Sequence, residues 1–271
     1  MEDVKNNCIL EINSVHWIDF ISSISLANVF HHPAWSISLS ESYNYKPFIL
    51  AVKDIKGRVR AGLPLIEVKS WITGRRWVSL PFTDHCEPLY KDNNSLKCLE
   101  SALIHMSQDR RIPKIELHRY FANPIAYKSG GGRVLHLLPL SFDIDNIANN
   151  FRKMHRRNIL VAQKKGVRVE HGNSLEHLKA FYHLHLQSRR RQGIPVQPWK
   201  FFELLGKNLI EKGLGFVSLA DKDNECIAAA VFLYWNKTLT YKYAAFNLKA
   251  RRFCPNNLIL WTLSVGASGR P

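Results

Sequence analysis

An α/β (α+β) chain of two tandem domains, each a mixed, largely antiparallel sheet flanked by helices, is the fold class predicted by this 271-residue sequence. Three observations predict it. Runs of β-type residues arranged as a meander occur twice, and each meander is preceded by helical stretches and a short strand. Placed at one constant offset, Ala61, Leu63, Leu65 and Val68 fall on Ala228, Ala230, Phe232 and Trp235, which reads as a structural duplication. The length exceeds one ordinary small domain and fits two. The expected domains are residues 1–142 and 143–271, with the working groove at their junction and in the second half.

The elements follow in order. Cys8–Ile12 reads as a short strand, and apolar spacing predicts helices over Ser14–Ile24 and about Pro33–Ser42. Phe48–Asp54, Arg60–Val68 and Arg75–Phe82 are strand-like runs parted by turn signals at Lys56-Gly57 and Thr73-Gly74, an antiparallel meander. A helix from Ser95 to about Gln108, a strand over Lys114–Tyr120, a glycine-rich loop at Ser129–Gly132 and an apolar strand over Val134–Leu140 complete the first half. From Asp143 onward, Ile144, Ile147, Phe151, Met154 and Ile159 fall on one helical stripe, with Lys164 and Lys165 in the last turn and Gly166 as C-cap. After a short strand, Val167–Glu170, Ser174 caps a helix with Glu176 in its first turn and Arg189 to Arg191 in its last, closed by Gly193 and Pro195. Pro198 opens a third helix running to Lys212. Gly215–Ala220, Ile227–Trp235 and Thr238–Phe246 are then three strands, with turns at Asp223-Asn224 and Asn236-Lys237.

Composition narrows the function. With 46% hydrophobic and 22% charged residues and a mean hydropathy of −0.19, the chain reads as globular and ordered. No apolar run reaches the roughly 20 residues that span a bilayer, and the N-terminus, MEDVKNNCILEINSVHW, lacks the basic and apolar regions of a leader. A cytoplasmic location is expected. Five scattered cysteines without a C-x-x-C pair read as reduced thiols. His31 and His32 are adjacent, and His183 and His185 lie two apart on a predicted helix and face different ways, so no metal is expected. The absence of a Ser-His-Asp order, a Walker loop, an H-E-x-x-H and a Rossmann glycine fingerprint removes the commonest hydrolase, nucleotidase and dehydrogenase readings. Net charge is +16, divided as +3 over residues 1–143 and +13 over residues 144–271. That field favours an anion: a phosphorylated cofactor, a nucleic acid, a lipid-linked pyrophosphate or an acidic membrane surface.

Several segments could carry chemistry. The strand Thr240–Asn247 runs into Arg251 and Arg252, then Pro255, Asn256 and Asn257, and then an apolar helix. A strand, a basic turn and a helix N-terminus suit a pyrophosphate, because amide hydrogens and the helix dipole face the anion while arginines neutralise it. The alternative reading leaves Arg251 and Arg252 as solvated loop residues. Arg152, Lys153, Arg156, Arg157 and Lys164 recur near helical spacing. Arg189, Arg190 and Arg191 run into Gln192-Gly193-Ile194-Pro195, a turn on which they could clamp a phosphate or simply face water. In the first half, LPFTDHCEPL places Asp84, His85 and Glu87 after a strand. There His85 can serve as general base or position an amine, or Asp84 can merely cap the turn.

The stretches LPFTDHCEPL, NFRKMHRRNILVAQKKGVRVE, FYHLHLQSRRRQGIPVQPWKFF and TLTYKYAAFN followed by PNNLILW resemble the FemAB-like branch of the GNAT superfamily over most of residues 30–265. The resemblance implies two GNAT domains and acyl transfer to an amine, and this branch includes peptidoglycan bridge ligases and acetyltransferase-like proteins of surface polysaccharide synthesis. The GNAT pyrophosphate turn, Q/R-x-x-G-x-G/A, corresponds to the segment with Arg252, where Pro255 and Asn256 stand in place of the glycines. Lys165-Gly166 passes directly into Val167, without the coiled-coil arm of some tRNA-using ligases. Relatives continue past Gly266 with a further strand, so the second domain is expected to be incomplete at its C-terminus.

On this resemblance the donor is acetyl-CoA or another acyl-CoA, ranked ahead of aminoacyl-tRNA, and no metal takes part. The acceptor is the amine of a small-molecule or lipid-linked sugar or cell-envelope precursor, with peripheral membrane association and without nucleic acid. Tyr241 or Tyr243 protonates the leaving group or orients the donor, and His85 or Asp84 helps deprotonate the amine. Arg251, Arg252, Asn256 and Asn257 hold the donor. Glu87, Arg156, Arg157, Asn158, Lys164, Arg189, Arg190, Arg191 and Gln192 form the substrate- or anion-binding set. The rival reading is a non-catalytic anion-binding module that docks on nucleic acid or acidic lipid through the basic half.

Overall fold

A computed structural model describes residues 4–70, 74–109, 114–118, 134–140 and 143–268. The chain divides into two compact units, residues 1–131 with 234–238, and residues 132–233 with 239–271.

The first unit runs β1 (Val4–Glu11), α1 (Val15–Ser22), α2 (Pro33–Tyr43), β2 (Lys46–Asp54), β3 (Val59–Ser70), β4 (Gly74–Val78), β5 (Leu89–Tyr90), α3 (Asn93–Gln108) and β6 (Lys114–Glu116). Its sheet has the order β1-β2-β3-β4-β6, with β5 paired to β3, and every pairing is antiparallel except β4 with β6. Both faces are covered, as β2 and β3 require with so few polar residues at their centres. Leu50, Val52, Ala61, Leu63 and Leu65 pack with Leu99 and Leu103 of α3. Ile49 and Ala51 pack with Trp17, Phe20 and Ile21 of α1. Val52 pairs with Ala61 but Lys53 pairs with Val59, so Arg60 is the extra residue of a bulge and Val59 turns to the α1 side. Local chemistry sets the helix ends. Pro33 opens α2 with the His32 imidazole accepting the Ala34 N–H, and Asp92 caps α3 by accepting from Ser95 N.

The second unit runs α4 (Ile144–Asn150), α5 (Lys153–Lys164), β7 (Arg168–Gly172), α6 (Leu175–Gln192), α7 (Trp199–Leu205) with one π-type turn at Gly206–Ile210, β8 (Gly215–Lys222), β9 (Glu225–Trp235), β10 (Thr238–Phe246), a 3-10 turn at Leu248–Phe253 and α8 (Pro255–Ser268). The sheet order is β10-β9-β8-β7. Residues 227–233 of β9 are all buried, the mark of a strand covered on both faces. Ala220, Ala228, Ala230 and Phe232 form a core with Ile159 and Ala162 of α5 and Leu258 and Ile259 of α8. Asp223 and Asn224, and again Asn236 and Lys237, take positive φ in pairs (53° and 63°, 50° and 62°), the two-residue turn that matches strand twist. Strand, two helices, three strands and then a helix is the order in both units, β1-α1-α2-β2-β3-β4 before α3 and β7-α6-α7-β8-β9-β10 before α8, in keeping with a duplicated ancestor.

The structure departs from the sequence reading in four places. Residues 134–140 form no strand and are exposed throughout. The stripe from Ile144 to Ile159 is two helices, because Phe151 and Arg152 are extended (ψ 139° and 143°); Met154 faces solvent, while Phe151 reaches the Trp261 ring at 6.0 Å. The run Arg75–Phe82 stops pairing at Val78, and Leu80 and Phe82 adopt left-handed φ of 61° and 58°. The helix opened at Pro198 leaves α-geometry at Gly206. The loop at Ser129–Gly132 and the end of the run at Tyr120 lie outside the described residues.

Gly215 has no room for a side chain, since a Cβ there would sit 2.6 Å from the Phe232 carbonyl oxygen in the neighbouring strand. Gly215→Ala is expected to lower unfolding free energy by about 1–3 kcal/mol, read by urea denaturation, through overpacking of a site whose obstacle is backbone.

Candidate functional site

In the first unit the segment after β4 is built around one amide. Asn28 Oδ1 accepts the Phe30 N–H at 2.9 Å, which turns its Nδ2 toward His85 Nε2 at 3.0 Å. Nδ2 can only donate, so His85 Nε2 is the acceptor and the ring proton sits on Nδ1. Asn28 N also donates to His31 Nδ1 at 3.1 Å, and His31 Nε2 donates to the Glu87 carbonyl at 2.8 Å. His31 is fully buried, and burial lowers its pKa to about 4. Trp35 Nε1 donates to Thr83 Oγ1 at 2.7 Å and fixes the segment from beneath. The left-handed Leu80 and Phe82 flank Pro81 two residues before Asp84, a strained backbone held by these buried bonds. Asp84 and Glu87 are exposed, and His85 is half-buried with its ring edge-on to Phe30. Cys86 is buried, with its thiol pKa pushed well up by desolvation.

In the second unit the structure gathers predicted residues at the connection from β10 to α8. Arg251 and Arg252 lie exposed in the 3-10 turn, and Asn256 and Asn257 in the first turn of α8. Asn257 Nδ2 donates to His155 Nδ1 at 3.1 Å, and Asn158 Nδ2 donates to Asn257 Oδ1 at 3.5 Å, so the first turns of α5 and α8 touch. Arg152, at the α5 N-cap, makes no capping hydrogen bond, and neither helix has an acid in its first turn. Two positive helix ends without an acid in either first turn attract anions. From a third element, Arg191 lies over the Phe246 ring at 5.2 Å, where Ser188 Oγ bonds the Phe246 backbone. Asn256 Oδ1 is buried without a hydrogen-bond partner.

Other predicted residues sit apart. Tyr241 and Tyr243 share β10 but contact different clusters. The Tyr243 ring is buried among Phe181, His185, Phe201 and Phe202, with centroids 5.4–6.4 Å away. The Tyr241 ring rests on Phe232 at 5.1 Å; although 41% of its surface is open, its surroundings lift the phenol to about 12. Arg157 and Lys164 fall on the face of α5 opposite Ile159 and Ala162, and Lys164 is about 13 Å along the helix from His155. Arg190 and Gln192 are exposed at the end of α6, which Gly193 closes in a left-handed C-cap. Sequence reasoning missed Asn28 and His155, and it weighed His31 and His185 only as metal ligands. His185 is buried, with its pKa lowered by desolvation, its Nε2 on Gln197 Oε1 at 3.3 Å and its Nδ1 unpartnered.

A concavity of about 440 Å³ opens beside the Arg60 bulge, lined by His16, Asp19, Arg58 and Lys91 among others, and one of about 380 Å³ lies between α6 and the start of β9. The predicted site residues line neither. Among the described residues no group of three or more His, Cys, Asp or Glu is placed to hold a metal ion, and no helix is long and apolar enough to cross a membrane.

Residues 149–267 match the family model of the acetyltransferase (GNAT) domain. No curated protein sequence matches the chain. Among solved structures it is similar to FemX, with a TM-score of 0.67 at 14% identity over 96% of this chain and 85% of that one. It is also similar to L-PGS from Bacillus licheniformis, with a TM-score of 0.53 at 13% identity over 95% and 74%. The C-terminal domain of a putative lysylphosphatidylglycerol synthetase from Agrobacterium fabrum gives 0.51 at 12% over 93% and 74%.

The buried His31 ties stability to pH. Its folded pKa lies below its unfolded value near 6.5, so the unfolded chain takes up the proton first. The stabilisation is complete above about pH 6.5 and is lost progressively as pH falls toward 4, by up to about 3 kcal/mol. Urea unfolding at pH 7.5 and pH 4.5 reads this: His31→Asn is expected to be less stable at the higher pH and to show a shallower fall between the two.

Proposed function

Because residues 149–267 match the model of the acetyltransferase (GNAT) domain and the chain has a fold similar to that of FemX, two sheets flanked by helices, we propose that the protein is an N-acyltransferase that takes an acyl or aminoacyl group from an acyl-CoA and passes it to an amine of a sugar or cell-envelope precursor. The observation that carries this is the meeting of two helix first turns, with arginines from neighbouring segments, where β10 passes into α8. Arg251, Arg252 and the positive ends of α5 and α8 suit the pyrophosphate of the donor. Pro255 offers no N–H, so arginines and the second helix end take over what glycine amides supply in the usual GNAT turn. The unpartnered Asn256 Oδ1 suits an amide N–H of the donor's arm.

The bound donor supplies a thioester carbonyl activated for attack. The amine nitrogen forms the new C–N bond, the C–S bond breaks, and the amine's proton leaves to a base or to water. Tyr241, whose phenol burial keeps protonated, donates a hydrogen bond to the departing sulfur. Tyr243, enclosed by aromatic rings, instead stiffens the strand. In the first unit, Asp84 and Glu87 are exposed beside a His85 whose Nε2 is engaged by Asn28, and their charge suits a cationic group. No covalent enzyme intermediate is needed, since holding both reactants can supply effective molarities of roughly 10⁵ M or more. The lipid in the name of one similar structure, a putative lysylphosphatidylglycerol synthetase, supports an envelope acceptor, and a cytoplasmic location gives access to both substrates.

Calorimetric titration with acetyl-CoA, aminoacyl-tRNA and generic RNA over a salt series tests the reading. Saturable one-to-one binding of acyl-CoA is expected, with Arg252→Ala weakening it about tenfold or more, the value of one or two charge-assisted bonds. Steeply salt-dependent binding of any polyanion in its place would favour a non-catalytic module. In an amine-dependent assay of thiol release, Tyr241→Phe is expected to lower kcat by about a hundredfold while leaving acyl-CoA affinity intact.

A further inference from the structure

We propose that residues 134–140 and the outward face of α5 together form a docking surface for an anionic lipid bilayer. Val134, Leu135, Leu137, Leu138 and Leu140 are between 44% and 81% exposed, five large apolar side chains in seven residues. Ordinary protein surfaces scatter such side chains singly; a contiguous set marks a contact that is not in place. On α5, Lys153, Arg157, Leu160 and Lys164 recur at i, i+4, i+7 and i+11, opposite the Ile159 and Ala162 that pack on the sheet. Leu160 is 55% exposed on that cationic face, and Met154 in the first turn of the helix is 60% exposed.

Three features favour a bilayer over another protein. First, the apolar side chains are accompanied by positive charge: Arg152, Lys153, Arg156, Arg157, Lys164 and Lys165 follow within one stretch that holds only two acids, Asp143 and Asp145. Apolar side chains rising out of a basic face are the composition that binds acidic headgroups and the acyl boundary together. Second, residues 134–140 belong to no helix or strand ladder, so their peptide groups must stay hydrated. At a membrane surface the leucines enter the acyl boundary while the backbone remains among headgroups, and Pro139 has no N–H to satisfy. Third, α4 and its short flanks set the span from Leu140 to Lys153 at no more than roughly 30 Å, so one patch of membrane can engage both parts. The proposal does not depend on the acyl donor, and Leu137, Leu138, Arg157 and Lys164 lie outside the residues assigned to it.

Vesicle flotation of the full chain tests the surface. With phosphatidylcholine vesicles containing about 30% phosphatidylglycerol, the protein is expected to float with the lipid, and about tenfold less with phosphatidylcholine alone. Raising salt to about 1 M, where screening reaches within about 3 Å, is expected to release much of it. Leu137→Asp with Leu138→Asp, and separately Arg157→Glu with Lys164→Glu, are each expected to cut flotation about tenfold or more while the thermal melt stays at the wild-type temperature. If the first pair disturbs folding, Leu160→Gln on the exposed helix face is expected to give a smaller loss in the same direction. Equal binding to neutral vesicles, or variants that float like the wild type, would overturn the proposal. So would a dimer in light scattering that the Leu137→Asp, Leu138→Asp variant converts to monomer without any lipid binding, since the surface would then belong to a second copy of the chain. An acyl-CoA titration alongside separates this outcome from failure of the catalytic reading.

Discussion

How closely two helices can lie on β9 governs what the second unit can do. Ala228 and Ala230 put only methyl groups between the sheet and the helices, and Ala162 answers from α5. Bulkier side chains there would lift α5 and α8 off the sheet and part the residues that now touch, His155 and Asn158 on one and Asn257 on the other. The polar contact at the helix ends is thus a product of small-residue packing further along. The same strand has Phe232 where ring partners from β8 and β10 take up the space, so close approach and aromatic filling divide one strand between them.

Much of the fold was legible in the sequence, because the signals were local. Hairpin turns at Asp223-Asn224 and Asn236-Lys237, the caps at Ser174 and Gly193, and the paired meanders depend on residues a few positions apart. What was hidden depends on distant partners. Val134–Leu140 has the composition of a strand, but a strand also needs an edge to pair with, and composition does not report one. The stripe through Phe151 and Met154 has helical period, yet Phe151 meets Trp261 only if the helix breaks. The basic clusters were visible as residue types, whereas their faces were not: Arg252 lies at the α8 end and Arg157 points away from it. Asn28 gave no sign at all, since its importance is its contact with a histidine far along the chain.

The first unit shows how little is needed to fix a polar segment. One asparagine side chain and its backbone N–H settle the orientation of two imidazoles, and the neutral form of His31 follows from burial. The two left-handed residues before Asp84 are then tolerable, because the bonds on either side leave the backbone no easier path.

The break between α4 and α5 carries a consequence of its own. In an unbroken helix the amides of Lys153 and Met154 would be spent on carbonyls one turn back, and the dipoles of the two halves would join head to tail with no pole between them. Two extended residues cancel that arrangement. They restart the ladder, return two N–H groups to solvent, and create a positive pole in the middle of what the sequence writes as a single amphipathic stripe. The chain gains a second electrostatic terminus without adding a single charged residue, so an insertion or substitution that healed the break would silence that pole while leaving every arginine in place.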